Sequence, residues 1–280
     1  MLIVGGSGNL GTVLRAGWPT DGPVRPVWQA RGDKPGNWVR VSPLADPEAF
    51  ARAARGHAAI LNLAGVVRGD PEALALNTDL ALAAVEAAVR GGVARVLIAS
   101  SAAVYGAAAD RPDESAPCRP ASPYGRAKLA MERAVGDRLA RGGGPETCLL
   151  RIGNVAGADQ LLGRGDDRGT RRLALAADGL PPRRSYLGPQ ALARALAALA
   201  VAPGRLPAVL NLSSRHAIGM ETLLAEAGIG WTVHAADPPP IARVELDCSA
   251  AAALLPEGVL DQDAASVVAD WRAACGGRGR

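Results

Sequence analysis

The chain begins with a short apolar strand that runs directly into a glycine-rich turn, and this junction constrains the fold more than any other segment. Residues 1–4 read Met-Leu-Ile-Val and residues 5–11 read Gly-Gly-Ser-Gly-Asn-Leu-Gly, where a helical pattern begins. Glycines at this spacing permit a tight turn, close approach of a phosphate and close packing of helix on strand. The helix N-terminus adds N–H groups and a positive dipole. The segment therefore predicts a dinucleotide-binding site formed by Gly5, Gly8, Asn9, Leu10 and Gly11.

Short apolar runs alternate with alanine-rich helical stretches ahead of residue 153. The strand candidates are 2–5, 24–30, 38–41, 58–64, 95–101 and 147–152, and the helix candidates are 9–17, 47–55, 71–91 and 123–141. Runs such as 58–64 are apolar without alternation, as expected for strands that helices cover on both faces. This order predicts an α/β fold whose core is a doubly wound parallel sheet.

The regular pattern loosens after residue 153, which predicts a second and smaller region. We expect residues 1–153 to form the dinucleotide-binding domain, and a helix and strand within 189–213 to rejoin its sheet. Residues 154–188 and 214–275 are then predicted to form a C-terminal substrate-binding lobe over the carboxyl ends of the strands, where ligands of open α/β sheets bind. Residues 276–280, Gly-Gly-Arg-Gly-Arg, are predicted to be a flexible tail.

Lysine and tyrosine are scarce in this chain, so their positions are informative. The chain holds three tyrosines and two lysines, and Tyr124-Gly-Arg-Ala-Lys128 places one of each four residues apart at the start of a predicted helix, on one face. An ammonium about 4 Å from a phenol lowers the phenol pKa by about three units at an effective dielectric of about 20. We therefore expect Tyr124 to act as an acid/base near neutral pH, with Ser101 at the end of the fifth strand orienting the reacting oxygen.

The sequence resembles the extended short-chain dehydrogenase/reductase family, which includes the nucleotide-sugar epimerases, dehydratases and reductases. The resemblance covers nearly the whole chain. It rests on Gly5-x-x-Gly8-x-x-Gly11, Leu63-Ala64-Gly65, Asn77, Ser100-Ser101-Ala-Ala-Val-Tyr105-Gly106, Ser122-Pro-Tyr124-x-x-x-Lys128 with Glu132 after it, Leu150-Arg-Ile-Gly-Asn154-Val-x-Gly157, Asn211-Leu-Ser-Ser and Leu246-Asp247.

This resemblance implies a Rossmann fold and an NAD(P)-dependent enzyme with a Ser-Tyr-Lys mechanism. It implies that Tyr124 is the acid/base, that Lys128 bonds the nicotinamide ribose and lowers the phenol pKa, and that Ser101 bonds the substrate oxygen. It also implies which residues line the cofactor cleft, namely Leu63, Ala64, Gly65 and Asn77.

The chain also departs from the family pattern. Ala102 and Ala103 stand where sugar-nucleotide 4,6-dehydratases carry an acidic pair, which argues against dehydration by that route. Pro43-Leu44 stands where Asp-Leu commonly contacts adenine. The substrate lobe is shorter than in typical UDP-hexose epimerases of the family.

The end of the second predicted strand bears on which dinucleotide binds. An acid at this position bonds the adenosine ribose, but here Gln29 falls 24 residues after Gly5, and the strand end at residues 27–31 holds no acid before Asp33. Arg31 can instead pair with a 2′-phosphate, although it is also one of 29 arginines. The cofactor is therefore predicted to be NAD or NADP, with Arg31 favouring NADP.

The net charge of +4 is concentrated in residues 160–200, which hold seven arginines and three aspartates. Nucleic-acid sites interleave basic and aromatic residues, and the one aromatic residue here is Tyr186, so a small anionic substrate is favoured over nucleic acid. A solvated arginine-rich surface is the alternative. We expect the diphosphate of a nucleotide sugar to be the anion. The candidate substrate residues are Asn154, Arg171 and Arg183.

Together these features predict an NAD(P)-dependent oxidoreductase or epimerase that transfers hydride between nicotinamide and a secondary alcohol or ketone. Two alternatives stay open: a reductase of a non-nucleotide ketone, and a non-catalytic protein that senses NAD(P) by binding it.

Further expectations concern metal sites, cellular location, membrane association and oligomeric state. Four cysteines form no C-x-x-C pair, so we expect no metal site and a reducing cytoplasm. No helical apolar run approaches the ~20 residues of a membrane span, so no membrane association is expected. The family resemblance also implies a homodimer formed through the helices predicted at 71–91 and 123–141.

Overall fold

The computed structural model describes residues 1–107, 110–163 and 169–275. Arg164, Arg168 and the predicted tail at 276–280 lie outside the described residues. The strands are β1 (Leu2–Val4), β2 (Val27–Ala30), β3 (Trp38–Arg40), β4 (Ala59–Asn62), β5 (Arg95–Ser101), β6 (Glu146–Ile152), β7 (Asn154–Val155), β8 (Arg171–Ala174), β9 (Arg183–Leu187), β10 (Val209–Leu212), β11 (Ala217–Gly219), β12 (Trp231–His234) and β13 (Arg243–Val244). The helices are α1 (Asn9–Gly17), α2 (Pro47–Ala54), α3 (Pro71–Gly91), α4 (Pro123–Ala140), α5 (Pro189–Val201), α6 (Met220–Ala227), α7 (Ser249–Ala252) and α8 (Ala264–Cys275).

Seven strands form one sheet in the order β10-β6-β5-β4-β1-β2-β3, and all of its neighbouring pairs are parallel. The chain moves outward from β1 to β3, then returns to the other side of β1 with β4. Such a reversal leaves a crevice at the carboxyl ends of β1 and β4, where ligands of open α/β sheets bind. The predicted doubly wound parallel sheet is confirmed.

Side-chain alternation along the strands explains why helices cover both faces of this sheet. Leu2 and Val4 belong to an apolar cluster with side chains of α2, α3 and α4, whereas Ile3 belongs to the cluster built with α1 and α5. All three are fully buried. Successive strand residues point to opposite faces, so an uninterrupted apolar run requires a helical layer on each side.

Short polar side chains fix where the helices of one layer begin. Asp46 and Asp70 accept hydrogen bonds from the third residue of α2 and of α3, each at 2.8 Å. Ser122 accepts one from the Gly125 N–H at 3.0 Å, and a proline follows each of the three caps. These are favoured N-terminal residues, and they place Tyr124 in the first turn of α4.

The segments after residue 153 contribute two small sheets. In the first, β9 pairs with β11 in antiparallel fashion and with β7 and β13 in parallel fashion. In the second, β8 and β12 are parallel. Between these segments, α5 leads to β10 at the edge of the central sheet. The division into a dinucleotide-binding domain and a substrate-binding lobe stays a prediction.

Two further observations concern the whole described chain. Within residues 1–107, 110–163 and 169–275, no helix has both the length and the apolar character needed to cross a membrane. Cys148 and Cys248 are thiols that lie buried among apolar side chains.

Candidate active site

A cleft of about 1220 Å³ lies at the carboxyl ends of the parallel strands. It brings together most of the residues that the sequence singled out, although the first and the last of them lie 149 positions apart. Those residues are Gly5, Gly8, Asn9, Leu10, Gly11, Arg31, Leu63, Ala64, Gly65, Asn77, Ser101, Tyr124, Lys128 and Asn154.

The glycine loop at one end of the cleft has no room for side chains at its key positions. Gly5 has a φ of +81°, and the Gly8 N–H donates to the Gly5 carbonyl at 3.0 Å. A Cβ at Gly11 would lie 2.5 Å from the Gly5 oxygen and 2.7 Å from the Gly6 Cα. No side chain caps α1, and its first turn carries no acidic residue. The loop therefore presents the start of a helix to an anion.

Tryptophans support the glycine loop from behind. A Cβ at Gly6 would lie 2.9 Å from the Trp28 ring and 3.1 Å from the Trp38 ring. Trp18 contacts Trp28 edge to face, with ring centroids 5.8 Å apart. The loop thus rests on aromatic side chains from β2 and β3.

Gln29 occupies the position at which an acid would bond the adenosine ribose. Its side-chain amide is hydrogen-bonded to the backbone at both ends. Its Oε1 accepts a hydrogen bond from the Gly5 N–H at 2.9 Å, and its Nε2 donates to the Val41 carbonyl at 2.5 Å. Both ends of the amide are used, so Gln29 holds the glycine loop in place.

Asn77 holds the loop that follows β4. It is fully buried; its Nδ2 donates to the carbonyls of Val66 and Leu74 at 2.9 Å, and its Oδ1 accepts from the Val66 N–H at 3.2 Å. A Cβ at Gly65 would lie 2.5 Å from the Asn77 Oδ1 and 3.3 Å from the Lys128 Nζ. The loop after β4 therefore passes directly beside Lys128.

Ser101, Tyr124 and Lys128 meet where β5 ends and α4 begins. The Ser101 Oγ accepts a hydrogen bond from the Ala103 N–H at 3.2 Å, and the Ser101 hydroxyl interacts with the Tyr124 phenol. The Lys128 Nζ donates to the Ala99 carbonyl at 2.8 Å and lies 5.9 Å from the centroid of the Tyr124 ring. A phenol, a hydroxyl and an amine therefore face one point of the cleft.

Burial dominates the ionisation of this group. It raises the pKa of the Tyr124 phenol above its ordinary value, and the interaction with Ser101 opposes this shift. It lowers the pKa of Lys128 to about 8, against the opposing charge of Glu132. The prediction that Lys128 by itself brings the pKa of Tyr124 close to neutrality is therefore wrong. The ammonium donates to the Ala99 carbonyl, and burial removes water from both side chains.

A buried hydrogen-bond network beneath the site was not predicted from the sequence. Glu132 accepts hydrogen bonds from the Ser100 hydroxyl at 2.5 Å and from the Arg151 guanidinium at 2.8–3.3 Å. Arg151 also donates to the Tyr105 hydroxyl at 2.8 Å, and Tyr105 in turn donates to Asn211 at 2.8 Å. The partners are 19 to 106 residues apart, so no local spacing could reveal them.

The far end of the cleft is lined by segments that follow residue 153. The polar lining residues there include Asn154, Asp159, Arg184 and Tyr186, and the apolar ones include Met220, Ile241 and Val244. Burial raises the pKa of Asp159 and lowers that of Arg184. Arg184 therefore offers a partly desolvated cation at this end.

The structure does not bring Arg171 and Arg183 to the cleft. Arg171 lies on β8, where its Nε donates to the Leu161 carbonyl at 3.0 Å. Arg183 is exposed on β9 and donates to the Ala217 carbonyl at 3.2 Å. Neither is among the described residues that line the cleft, whereas Arg184 is. Adjacent strand residues face opposite sides, and the sequence did not show which of the two arginines faces inward.

Comparison with known proteins adds to this geometry. The model of the NAD dependent epimerase/dehydratase family matches residues 1–180. A UDP-glucose 4-epimerase of Azospirillum brasilense is 38% identical over 114 residues, which make up 40% of this chain and 32% of that protein. The match with this curated relative thus spans about a third of its length.

Solved structures resemble the chain over almost its whole length. MoeE5 in complex with UDP-glucuronic acid and NAD has a TM-score of 0.76 and 24% identity, covering 97% of this chain and 98% of that one. UDP-glucose 4-epimerase of Bifidobacterium longum, in complex with NAD+ and UDP, has a TM-score of 0.74 and 20% identity, covering 97% of each chain. These likenesses confirm the predicted fold class.

Proposed function

Because this chain belongs to the NAD dependent epimerase/dehydratase family, we propose that it is an NAD(P)-dependent oxidoreductase or epimerase acting on a nucleotide sugar. Hydride passes between the nicotinamide and a secondary alcohol or ketone carbon of the sugar. The observation that carries this proposal is the single cleft lined by both the glycine loop and the Ser101, Tyr124 and Lys128 group.

The residues present fit a dinucleotide. The start of α1 carries no capping side chain, and glycine hydrogens occupy the positions where a Cβ would crowd the loop. Gly5, Gly8, Asn9, Leu10 and Gly11 would hold the pyrophosphate, and Leu63, Ala64, Gly65 and Asn77 would line the nicotinamide side of the cleft. When bound, the nicotinamide accepts or donates the hydride.

The chain's own residues handle the proton. In oxidation the Tyr124 oxygen takes the proton of the substrate hydroxyl, and in reduction it returns that proton to the carbonyl oxygen. Ser101 donates a hydrogen bond to the same substrate oxygen, which stabilises the charge that develops there. Lys128 would bond the nicotinamide ribose. Because burial raises the pKa of Tyr124, the phenolate needs a nearby positive charge, which the Lys128 ammonium supplies.

A nucleotide sugar is supported by the charge at the far end of the cleft. Arg184 lines the cleft beside Asn154, and a guanidinium pairs well with a diphosphate. The relative from Azospirillum brasilense bears the name of a UDP-glucose 4-epimerase, which agrees with this substrate class.

NADP is proposed as the preferred cofactor over NAD. Gln29 replaces the usual acid and both ends of its amide are bound to the backbone. Among the described residues that line the cleft, Asp159 at the far end is the one carboxylate, whereas Arg31 lines the cleft beside β2. A guanidinium there favours a 2′-phosphate over a bare ribose hydroxyl.

Replacement of Tyr124 by phenylalanine tests the proposed mechanism. We expect Tyr124→Phe to lower the rate of hydride transfer by about 10²- to 10⁴-fold, because the acid/base is lost, while the affinity for the dinucleotide changes less than about twofold. Absorbance of the reduced cofactor and a binding titration measure the two quantities. A variant as active as the wild type would refute the assignment. Wild-type protein that binds the dinucleotide but turns over no sugar nucleotide would instead support a sensing protein.

Stoichiometry separates the two kinds of reaction. An epimerase regenerates its cofactor within each turnover, so no net NAD(P)H is consumed. A reductase consumes one equivalent per product. Measuring NAD(P)H loss against product formation with a set of sugar nucleotides decides between them, and activity on simple ketones alone would point to a non-nucleotide substrate.

A homodimer and a cytoplasmic location are also part of the proposal. The helices α3 and α4 contact each other, and Leu76 and Val89 of α3 are exposed. Light scattering on the purified chain tests the dimer, and a monomer at all concentrations would contradict it.

A further inference from the structure

The buried carboxylate of Glu132 has no task in the proposed reaction. Glu132 lies one helical turn beyond Lys128 on α4, and only 6% of it is exposed. It accepts hydrogen bonds from the Ser100 Oγ at 2.5 Å and from the Arg151 Nη2 at 2.8 Å. Arg151 and Ser100 are buried as well. A buried ion pair is costly to desolvate, so stability alone is a weak explanation for its presence.

The bonds of Glu132 join three elements at the end of the sheet that carries the site. Ser100 precedes Ser101 on β5, Arg151 lies on β6, and Glu132 lies on the helix that carries Tyr124. Lys128 reaches the same strand one residue earlier, because its Nζ donates to the Ala99 carbonyl. The helix α4 is therefore tied to two consecutive residues of β5, directly beside the reacting groups.

We propose that Glu132 is a positioning residue for the hydride transfer: together with Ser100 and Arg151 it holds α4 against the end of β5, and its carboxylate compensates the charge of the buried Lys128 ammonium. The inference rests on the proposed function. It gives Glu132 no contact with substrate or cofactor, since Glu132 acts through Lys128 and through the placement of Tyr124.

The surroundings of Lys128 make Glu132 the group best placed for this task. Tyr124 and Glu132 lie one helical turn before and one turn after Lys128 on α4, and Arg151 on β6 is hydrogen-bonded to Glu132. The α3 side contributes the neutral amide of Asn77, next to Gly65. Burial lowers the pKa of Lys128, and the charge of Glu132 opposes that shift.

The scarcity of lysine allows a direct measurement on the full chain. Protein labelled with ¹³C at the lysine ε-carbons gives signals from only Lys34 and Lys128, and Lys34 is exposed and serves as an internal reference. In Glu132→Gln we expect the titration midpoint of Lys128 to fall by about one pH unit or more, with Lys34 unchanged, because the compensating charge is gone.

A matched control breaks a different ion pair, one that joins β5 to β6. Arg95 donates to Glu146 at 2.9 Å, and each is the first residue of its strand, at the end of the sheet away from the site. In Glu146→Gln the Lys128 midpoint is expected to stay at its wild-type value. An equal fall in both variants, or no fall in Glu132→Gln, would overturn the proposal.

Kinetics supply the second readout. Glu132→Gln is expected to lower kcat about tenfold at pH 8 with KM changed less than about twofold, and to move the alkaline limb of the pH–rate profile to lower pH. Ser100→Ala is expected to lower kcat by a smaller factor and Ser100→Thr, which keeps the hydroxyl, to restore it. An unchanged pH–rate profile in Glu132→Gln would contradict the proposal.

A charge-balanced variant covers the case in which Glu132→Gln does not fold. Glu132→Gln with Arg151→Met removes both buried charges, and the Lys128 midpoint is again expected to fall; an unchanged midpoint would overturn the proposal. The titration needs neither cofactor nor substrate. A wild-type chain without turnover would therefore refute the proposed function, yet leave the result on Lys128 standing.

Discussion

The two ends of the cleft are built from different kinds of structure. At the end with the glycine loop, the lining residues lie where parallel strands of the central sheet end and helices begin. Buried side chains such as Gln29 and Asn77 hold these loops by hydrogen bonds to the backbone. At the far end, the lining residues belong to strands as short as the two-residue β7 and to small sheets. The difference indicates that the proposed hydride transfer depends on the regular central sheet and its helices, whereas substrate recognition depends on which face of a short strand turns inward.

The largest expected effect concerns the free energy of unfolding that is lost by burying Lys128 at the end of the cleft with the glycine loop. Lys128 has a pKa of about 8 when folded and 10.5 as a free side chain, so the unfolded chain binds more protons between these values. Wild-type stability should therefore rise with pH through this window, by up to about 3 kcal/mol relative to Lys128→Met. Urea unfolding of both proteins at pH 7 and pH 10 measures the gain. If the free energy of unfolding changed equally with pH in both proteins, the burial of Lys128 would not destabilise the wild type at neutral pH.

The next effect tests the rigidity of the glycine loop. In Gly11→Ala the new Cβ would collide with the backbone of Gly5 and Gly6, so we expect dinucleotide affinity to fall by about 10- to 100-fold. Gly136→Ala on α4 is the control, because its Cβ would meet nothing within 4 Å. It should stabilise the helix by about 0.5–1 kcal/mol and leave affinity unchanged. Equal affinities for the two variants would contradict the proposed phosphate site.

The third prediction concerns the far end and uses two neighbouring arginines. Arg184→Gln is expected to raise KM for a nucleotide sugar about tenfold, because a charge-assisted hydrogen bond to the diphosphate is lost. Arg183→Gln should leave KM within about twofold, since Arg183 does not line the cleft. Steady-state kinetics on the pair measures the difference. A larger effect at Arg183 would mean that the inward face of β9 has been assigned wrongly.

The smallest effect is expected at the exposed edge of the glycine-loop end. Arg31→Ala should weaken NADP(H) about fivefold and NAD(H) by less than about twofold, because an exposed cation contributes only about 1 kcal/mol. Fluorescence titration with each dinucleotide compares them. Equal weakening would remove the argument for NADP.

The end of the cleft with the glycine loop was easier to predict from the sequence than the far end. The helices α1 and α3 begin and end at the predicted residues, because glycine, Asp70 and a left-handed Gly92 mark their boundaries locally. Tyr124 and Lys128 are paired by spacing on one helix, which also needs no tertiary information. Arg183 was named as the substrate residue in place of its neighbour Arg184, because the inward face of a short strand depends on pairing with β11 and β13.

Ionisation was the other part that the sequence could not provide. The distance between Lys128 and Tyr124 could be guessed from a helix, but the loss of water around both could not. Nor could the partners of Glu132 be read locally, because Ser100 lies 32 residues before it and Arg151 lies 19 residues after it. Such contacts are set by the order of β5 and β6 in the sheet.

The tryptophans behind the glycine loop give the protein a built-in optical signal. Three of its five indoles, Trp18, Trp28 and Trp38, lie together at this loop. Indole emission overlaps the absorption of reduced nicotinamide, so energy transfer to a bound cofactor would quench it. Occupancy and release of the cofactor would then be visible in the unlabelled protein, in real time and without a substrate.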